Sequence, residues 1–272
     1  MIPLTNIHTH TKFCDGINTV DEMVQRAIEL GCPGIGFSSH AYVPYPPFDT
    51  MCRYDEMDYV HAVLDARERY RGKIDIFLGM ERDEVGHKPQ YKGYDYFIGS
   101  AHGILRDGVY YTIDGAKKNV ISTVDKLFGG DFIGLAAEYY NTLCAVVRDT
   151  GCQVVGHFDL IMKFNENDDL FDENDPEYVK LWTEALEKIV KHGAIFEVNT
   201  GAIAKGYRKR PYPTKQILRK MREIGAKIIV TSDSHSRDTI TYYFKEVEQY
   251  IKDCGYDRVM TLTKEGFTEV PL

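Results

Sequence analysis

Ile224-Gly225-Ala226-Lys227-Ile228-Ile229-Val230-Thr231-Ser232-Asp233-Ser234-His235 carries the reading of the fold. An amphipathic run ends at Ile224, a glycine stops it, a β-rich apolar run follows, and a carboxylate and a histidine close the run. The same cadence of helix, glycine and strand recurs at Leu30-Gly31 and at His192-Gly193. Working outward, candidate strands fall at Leu4–His8, Gly34–Ser38, Ile74–Met80, Tyr94–Gly99, Gln153–His157, Ala194–Asn199 and Lys227–Thr231. Each is a short run rich in Ile, Val, Phe and Tyr, as expected of a parallel strand buried on both faces. Helical spacing marks Thr19–Leu30, Tyr54–Tyr70, Pro176–His192 and Pro213–Ile224, and Thr19 with Glu22 forms a capping box. Parallel neighbours require a crossover helix, so the cadence predicts an α/β chain. Seven strands with crossovers favour a barrel over an open, doubly wound sheet. No G-x-G-x-x-G follows the first strand, so nothing points to a dinucleotide fold. No linker or repeat divides the chain, and residues 1–272 are read as one domain.

Composition narrows the class. Hydrophobic residues make up 43% and charged residues 27%, an ordinary globular balance. No apolar run approaches the roughly 20 residues that span a bilayer, and the N-terminus lacks a basic segment before an apolar core. A cytoplasmic protein is expected. Cys14, Cys32, Cys52, Cys144, Cys152 and Cys254 include no C-x-x-C pair and are read as reduced thiols. A net charge of -8 disfavours binding to a nucleic-acid backbone.

Histidines and carboxylates fall at the strand ends. His8 and His10 close the first run, His40 follows the second, and Glu81 follows the third in Gly79-Met80-Glu81. His102 follows the fourth, His157 the fifth, Glu197 and Asn199 the sixth, and Asp233 with His235 the seventh. In a βα barrel those ends converge on one face. Six histidines and the carboxylates Asp15, Glu81 and Asp233 therefore meet at one mouth. Imidazole and carboxylate donors suit zinc, manganese or iron, and there are too many for one ion. A single strand-end histidine is more often a hydrogen-bonded core residue than a ligand; the joint pattern carries the reading.

His8-x-His10 with Asp15, Ser-Ser-His40, Gly-Met-Glu81, Gly-Ser-x-His102, Gly-His157-x-Asp, Glu197-x-Asn199 and Ser-Asp233-x-His235 together resemble the PHP family. Within it, Asn199-Thr200-Gly201-Ala202-Ile203 with Tyr207, Arg208 and Pro211-Tyr212-Pro213 is similar to the PHP-type histidinol-phosphate phosphatases. The resemblance implies a distorted seven-stranded (β/α)7 TIM-like barrel holding three divalent ions (zinc, manganese or iron). It implies that His8, His10, Glu81 and Asp233 hold one ion, and that Glu81 bridges to a second held by His102 and His157. Asp15, His40 and His235 hold the third. A hydroxide bridging two ions then attacks phosphorus, with Asp15, Asp233 and His235 at the reacting centre. The implied partner is a small-molecule phosphate monoester, foremost L-histidinol phosphate. The same site also suits a nucleotide, a phosphotyrosine or an oligonucleotide end.

Around the mouth, Arg208, Lys163 and Lys205 are candidate phosphate contacts, and Asp83 and Glu84 candidates to reach a substrate amine. Glu197 is expected to orient a ligand imidazole. Tyr42 and Tyr45, in a loop stiffened by Pro44, Pro46 and Pro47, are expected to line a substrate pocket. His61, His87 and His192 are read as surface residues. An amidohydrolase would usually place a lysine where Glu81 stands, and a scaffold that had lost catalysis would have lost ligands.

Overall fold

Thr19 starts the first helix as the sequence dictates: its side chain caps Glu22 N while Glu22 reaches back to the cap, and Val20, Met23, Val24 and Ala27 form the buried stripe. The structure is a computed structural model that describes residues 1–45, 50–51 and 55–272. In chain order its strands are β1 (Gly34–Phe37), β2 (Asp75–Arg82), β3 (Tyr96–Gly99), β4 (Gly103–Arg106), β5 (Val109–Thr112), β6 (Val154–Val155), β7 (Ile195–Asn199), β8 (Lys227–Thr231), β9 (Arg258–Thr263) and β10 (Gly266–Pro271). The helices are α1 (Val20–Glu29), α2 (Glu56–Arg69), α3 (Lys117–Phe128), α4 (Phe132–Thr150), α5 (Pro176–Val190), the single-turn α6 (Gly201–Ala204), α7 (Lys215–Glu223) and α8 (Phe244–Lys252). Among the described residues no helix is long and apolar enough to cross a membrane, and the described cysteines are free thiols.

Among the described residues one sheet holds eight strands in the order β1-β2-β3-β6-β7-β8-β9-β10, parallel throughout except for the last pair, and β4 with β5 form a separate hairpin. This departs from the seven expected. The run Leu4–His8 is not a regular strand; Asn6 within it bridges to Ile35, and Thr9 just beyond it bridges to Ser234. The reason is Asn6. Its side chain accepts from His8 N at 3.1 Å and donates to Ser232 Oγ at 2.8 Å and Ile240 O at 3.0 Å, replacing ladder bonds with its own. The segment nevertheless joins β1 to the end of β8 and curls the sheet into a barrel-like α/β shell. The hairpin β9–β10 adds the strands that the sequence reading missed.

Period-two alternation sorts β2. Ile76, Leu78 and Met80 face the α1 and α2 core, while Phe77 joins Ile7, Tyr96, Ile98, Val154 and Ile229 inside the curl. Gly79 and Glu81 share the inner side with Phe77. A Cβ at Gly79 would fall inside the Tyr96 ring, and the Tyr96 hydroxyl donates to Ile7 O and to Phe37 O, tying the N-terminal segment to β1. One aromatic side chain thus fills the barrel floor directly below Glu81. The helix ends follow the cadence as well: Gly225 has φ +75°, the left-handed geometry that lets α7 turn into β8.

Replacing Gly79 with alanine should overpack this floor and cost about 1–3 kcal/mol of stability. Chemical denaturation checks it; an unchanged midpoint would contradict the packing described.

Candidate metal centre

Glu81, 1% exposed at the end of β2, is the hub. Its Oε2 faces His8 Nε2 at 3.1 Å, His10 Nε2 at 3.5 Å and His40 Nδ1 at 3.0 Å. Its Oε1 faces His102 Nε2 and His157 Nε2, each at 3.3 Å. Asp233 Oδ1 lies 3.2 Å from His10 Nε2 and 3.6 Å from His8 Nε2. Toward solvent, His235 Nε2 meets Asp15 Oδ2 at 3.0 Å, and His40 Nε2 approaches the same oxygen at 3.7 Å. The structure therefore brings all nine expected ligands to one mouth. Asp233 has φ +46°, a conformation unusual for a non-glycine residue, and a Cβ at Gly201 would collide with it. The backbone is bent there to aim the carboxylate.

These donor atoms fit metal ions. His8 Nε2, His10 Nε2 and both Glu81 oxygens are buried without a hydrogen-bond partner among the described residues, although they face one another. Among the described residues three sets have ligand atoms close enough to share an ion: His10, Asp15, His40 and His235; His8, His10 and Asp233; His40, Glu81 and His102. His40 stands in the third set where the family resemblance would place His157. Electrostatics point the same way. Burial alone would raise the Glu81 carboxyl, yet His8, His40 and His102 hold it well below the usual carboxylate range. Burial disfavours a charged His8, but Glu197, Glu81 and Asp233 raise its proton affinity well above normal. His10, buried beside His235 and His40, is lowered to about 3. Ionised carboxylates at this depth demand positive charge between them.

Outer partners fix the imidazoles. Glu197 Oε1 lies 2.6 Å from His8 Nδ1, and its other oxygen accepts from His157 N at 3.1 Å and Asn199 Nδ2 at 3.0 Å. With Nδ1–H given to Glu197, the Nε2 lone pair of His8 is turned toward Glu81. Asp83 does the same for His102. Its Oδ2 accepts from His102 N at 3.0 Å and from Tyr110 Oη at 3.0 Å, and it lies 3.4 Å from His102 Nδ1. Asp83 therefore backs a candidate metal ligand instead of reaching toward a substrate amine. Tyr110 stands on the β4–β5 hairpin, which the sequence reading did not recognise.

The other expected contacts divide. Lys163 and Lys205 line the cleft together with Tyr207, Tyr212 and Asp114, a residue the sequence reading missed. Lys163 Nζ is already held by Asp114, at 2.6 Å from its carbonyl and 2.7 Å from Oδ1. Arg208 is 3% exposed, bonded through Nε to Glu166 at 3.2 Å, and stacked 4.7 Å over the Tyr212 ring. It packs behind a wall residue, with Nη1 and Nη2 unpartnered among the described residues. Tyr42 lies against His87 in a separate small pocket, and Tyr45 stacks on Tyr110. Pro46 and Pro47 lie outside the described residues.

Replacing Asp83 with asparagine removes the carboxylate behind His102 and should weaken zinc binding about 10–100-fold. Chelator competition measures it; wild-type affinity in the variant would contradict the assigned role.

Comparisons with known proteins find relatives that share this length and fold. Histidinol-phosphatase of Bacillus subtilis is 26% identical over 275 residues, covering 91% of this chain and 98% of the relative. Histidinol phosphate phosphatase of Lactococcus lactis, solved with zinc, L-histidinol and phosphate, superposes with a TM-score of 0.74 at 19% identity, covering 98% of this chain and 100% of that one. The family model for the PHP domain matches residues 6–201. That span takes in His8, His10, Asp15, His40, Glu81, His102 and His157 and stops short of Asp233 and His235. Most of the chain, and most of its converging donors, thus fall within one family match: the chain belongs to the PHP domain family.

Proposed function

We propose that the chain hydrolyses L-histidinol phosphate to L-histidinol and inorganic phosphate. The observation that carries the reading is a near full-length likeness to a histidinol-phosphatase, combined with a nine-residue donor cluster opening into a cleft that bears lysines.

In this reading three divalent ions would be held by His8, His10, Glu81 and Asp233, by Glu81, His102 and His157, and by Asp15, His40 and His235. Such ions supply acidified water and neutralise a phosphate dianion that would otherwise repel an attacking oxygen. The protein's own groups perform the rest. Lys205, exposed at the rim, adds a positive charge that draws the dianion in, and Lys163 retains an N–H beyond the two spent on Asp114. Asp15, Asp233 and His235 occupy the open side of the cluster, where the ester oxygen must depart. Glu197 and Asp83 keep His8 and His102 in place as charge builds, so little reorganisation accompanies reaction. The Tyr207 ring, exposed at the cleft wall, offers apolar surface to a flat imidazole.

Phosphate release by zinc- or manganese-loaded protein tests the reading across L-histidinol phosphate, nucleoside monophosphates, a phosphotyrosine peptide and an aryl phosphate. L-histidinol phosphate should exceed the others in kcat/KM by orders of magnitude. Turnover of the aryl phosphate without that preference would leave the metal site intact and discard the substrate.

A further inference from the structure

We propose that Asp114 accepts the ammonium group of the substrate and makes the cleft select an amino-alcohol phosphate over esters without an amine. The inference rests on the reading of L-histidinol phosphate as substrate. In that molecule the amine sits on the carbon next to the ester methylene. Once the phosphate lies at the donor cluster, the ammonium must lie against the wall of the same cleft. Among the described residues lining it, Asp114 is the one carboxylate outside the donor cluster.

The residues that sequence reading offered for this task are committed elsewhere. Asp83 is bonded to His102 N and to Tyr110. Glu84 is exposed, and its charged neighbours are Asp83, Asp149 and Arg148, not the groups of the cleft.

Asp114 is built for recognition in three respects. Its position is tied to the metal centre, because Ile113 N and Asp114 N both donate to the carbonyl of His102, at 2.8 and 3.2 Å. Its side chain is held through Oδ1 by Lys163, while Oδ2 accepts no hydrogen bond among the described residues and the side chain is 37% exposed. An acceptor already fixed in one rotamer loses little entropy when a ligand arrives. Its charge is also balanced: a lone carboxylate here would repel the phosphate dianion, whereas the Asp114–Lys163 pair presents an oxygen without adding net negative charge. Lys163 is steadied in turn, its ammonium 4.3 Å over the Tyr207 ring.

The test compares L-histidinol phosphate with imidazolylpropyl phosphate, which has the same ring and ester but no amine, on zinc-loaded wild type, D114N and D114E. Wild type should favour the amine-bearing ester by about 10–100-fold in kcat/KM, mostly through KM, as a charge-assisted hydrogen bond provides. D114N should lose most of that ratio and D114E, which keeps the charge, should retain much of it. An unchanged ratio in D114N would overturn the proposal. So would equal losses on both esters, which would assign Asp114 to supporting Lys163 and His102 only. A wild type that favours neither ester over an aryl phosphate would discard the substrate reading, and this inference with it.

Discussion

A carboxylate sealed from water among five imidazoles is the constraint around which this chain is arranged. Glu81 exposes 1% of its surface and faces His8, His10 and His40 with one oxygen and His102 and His157 with the other. An ion at that depth is costly unless its surroundings compensate it. The compensation comes from four separate segments of the sequence, so every one must be delivered to the same end of the curled sheet. The closure between β1 and β8 serves this requirement. The N-terminal segment is pinned by Asn6 and by the Tyr96 hydroxyl, and so carries His8 and His10 over the barrel floor. Gly79 leaves room for the Tyr96 ring two residues before Glu81 itself.

A second layer turns that convergence into defined chemistry. Glu197 reaches His8 with one oxygen and the backbone of His157 with the other, linking two donors through one buried acid. Asp83 anchors His102 and is anchored in turn by Tyr110 on the β4–β5 hairpin. The hairpin then returns through Ile113 and Asp114 to the His102 carbonyl, and Asp114 holds Lys163. One small excursion from the barrel thus organises a donor of the metal cluster and a charged pair of the cleft wall.

Much of this was legible because strand ends in a parallel sheet share a face. Histidines and carboxylates after apolar runs identify their destination without any long-range information, as His157 after Val154-Val155-Gly156 shows. The Thr19–Glu22 cap was equally local. What escaped depended on partners far away in sequence. Leu4–His8 has strand composition, but the backbone N–H groups of His8 and Ser232, which a ladder would use, both donate to the Asn6 side chain. Residues 103–150, to which the sequence reading assigned no element, hold a hairpin and two consecutive helices that interrupt the cadence. Asp83 and Glu84 looked equally able to meet a ligand; the fold turns one onto His102 and the other to solvent. Asp114 carried no motif, and its place follows only from the hairpin's return to His102.

Glu81 faces five imidazoles at once, so losing its charge should unmake most of the donor cluster. Elemental analysis of wild type and Glu81→Gln, each equilibrated with zinc and freed of loose metal, tests it most directly. The variant should stay folded, by far-ultraviolet circular dichroism, and hold less zinc than wild type, keeping at most the ion that Asp15, His40 and His235 would bind. A variant with the full wild-type complement of zinc would contradict it.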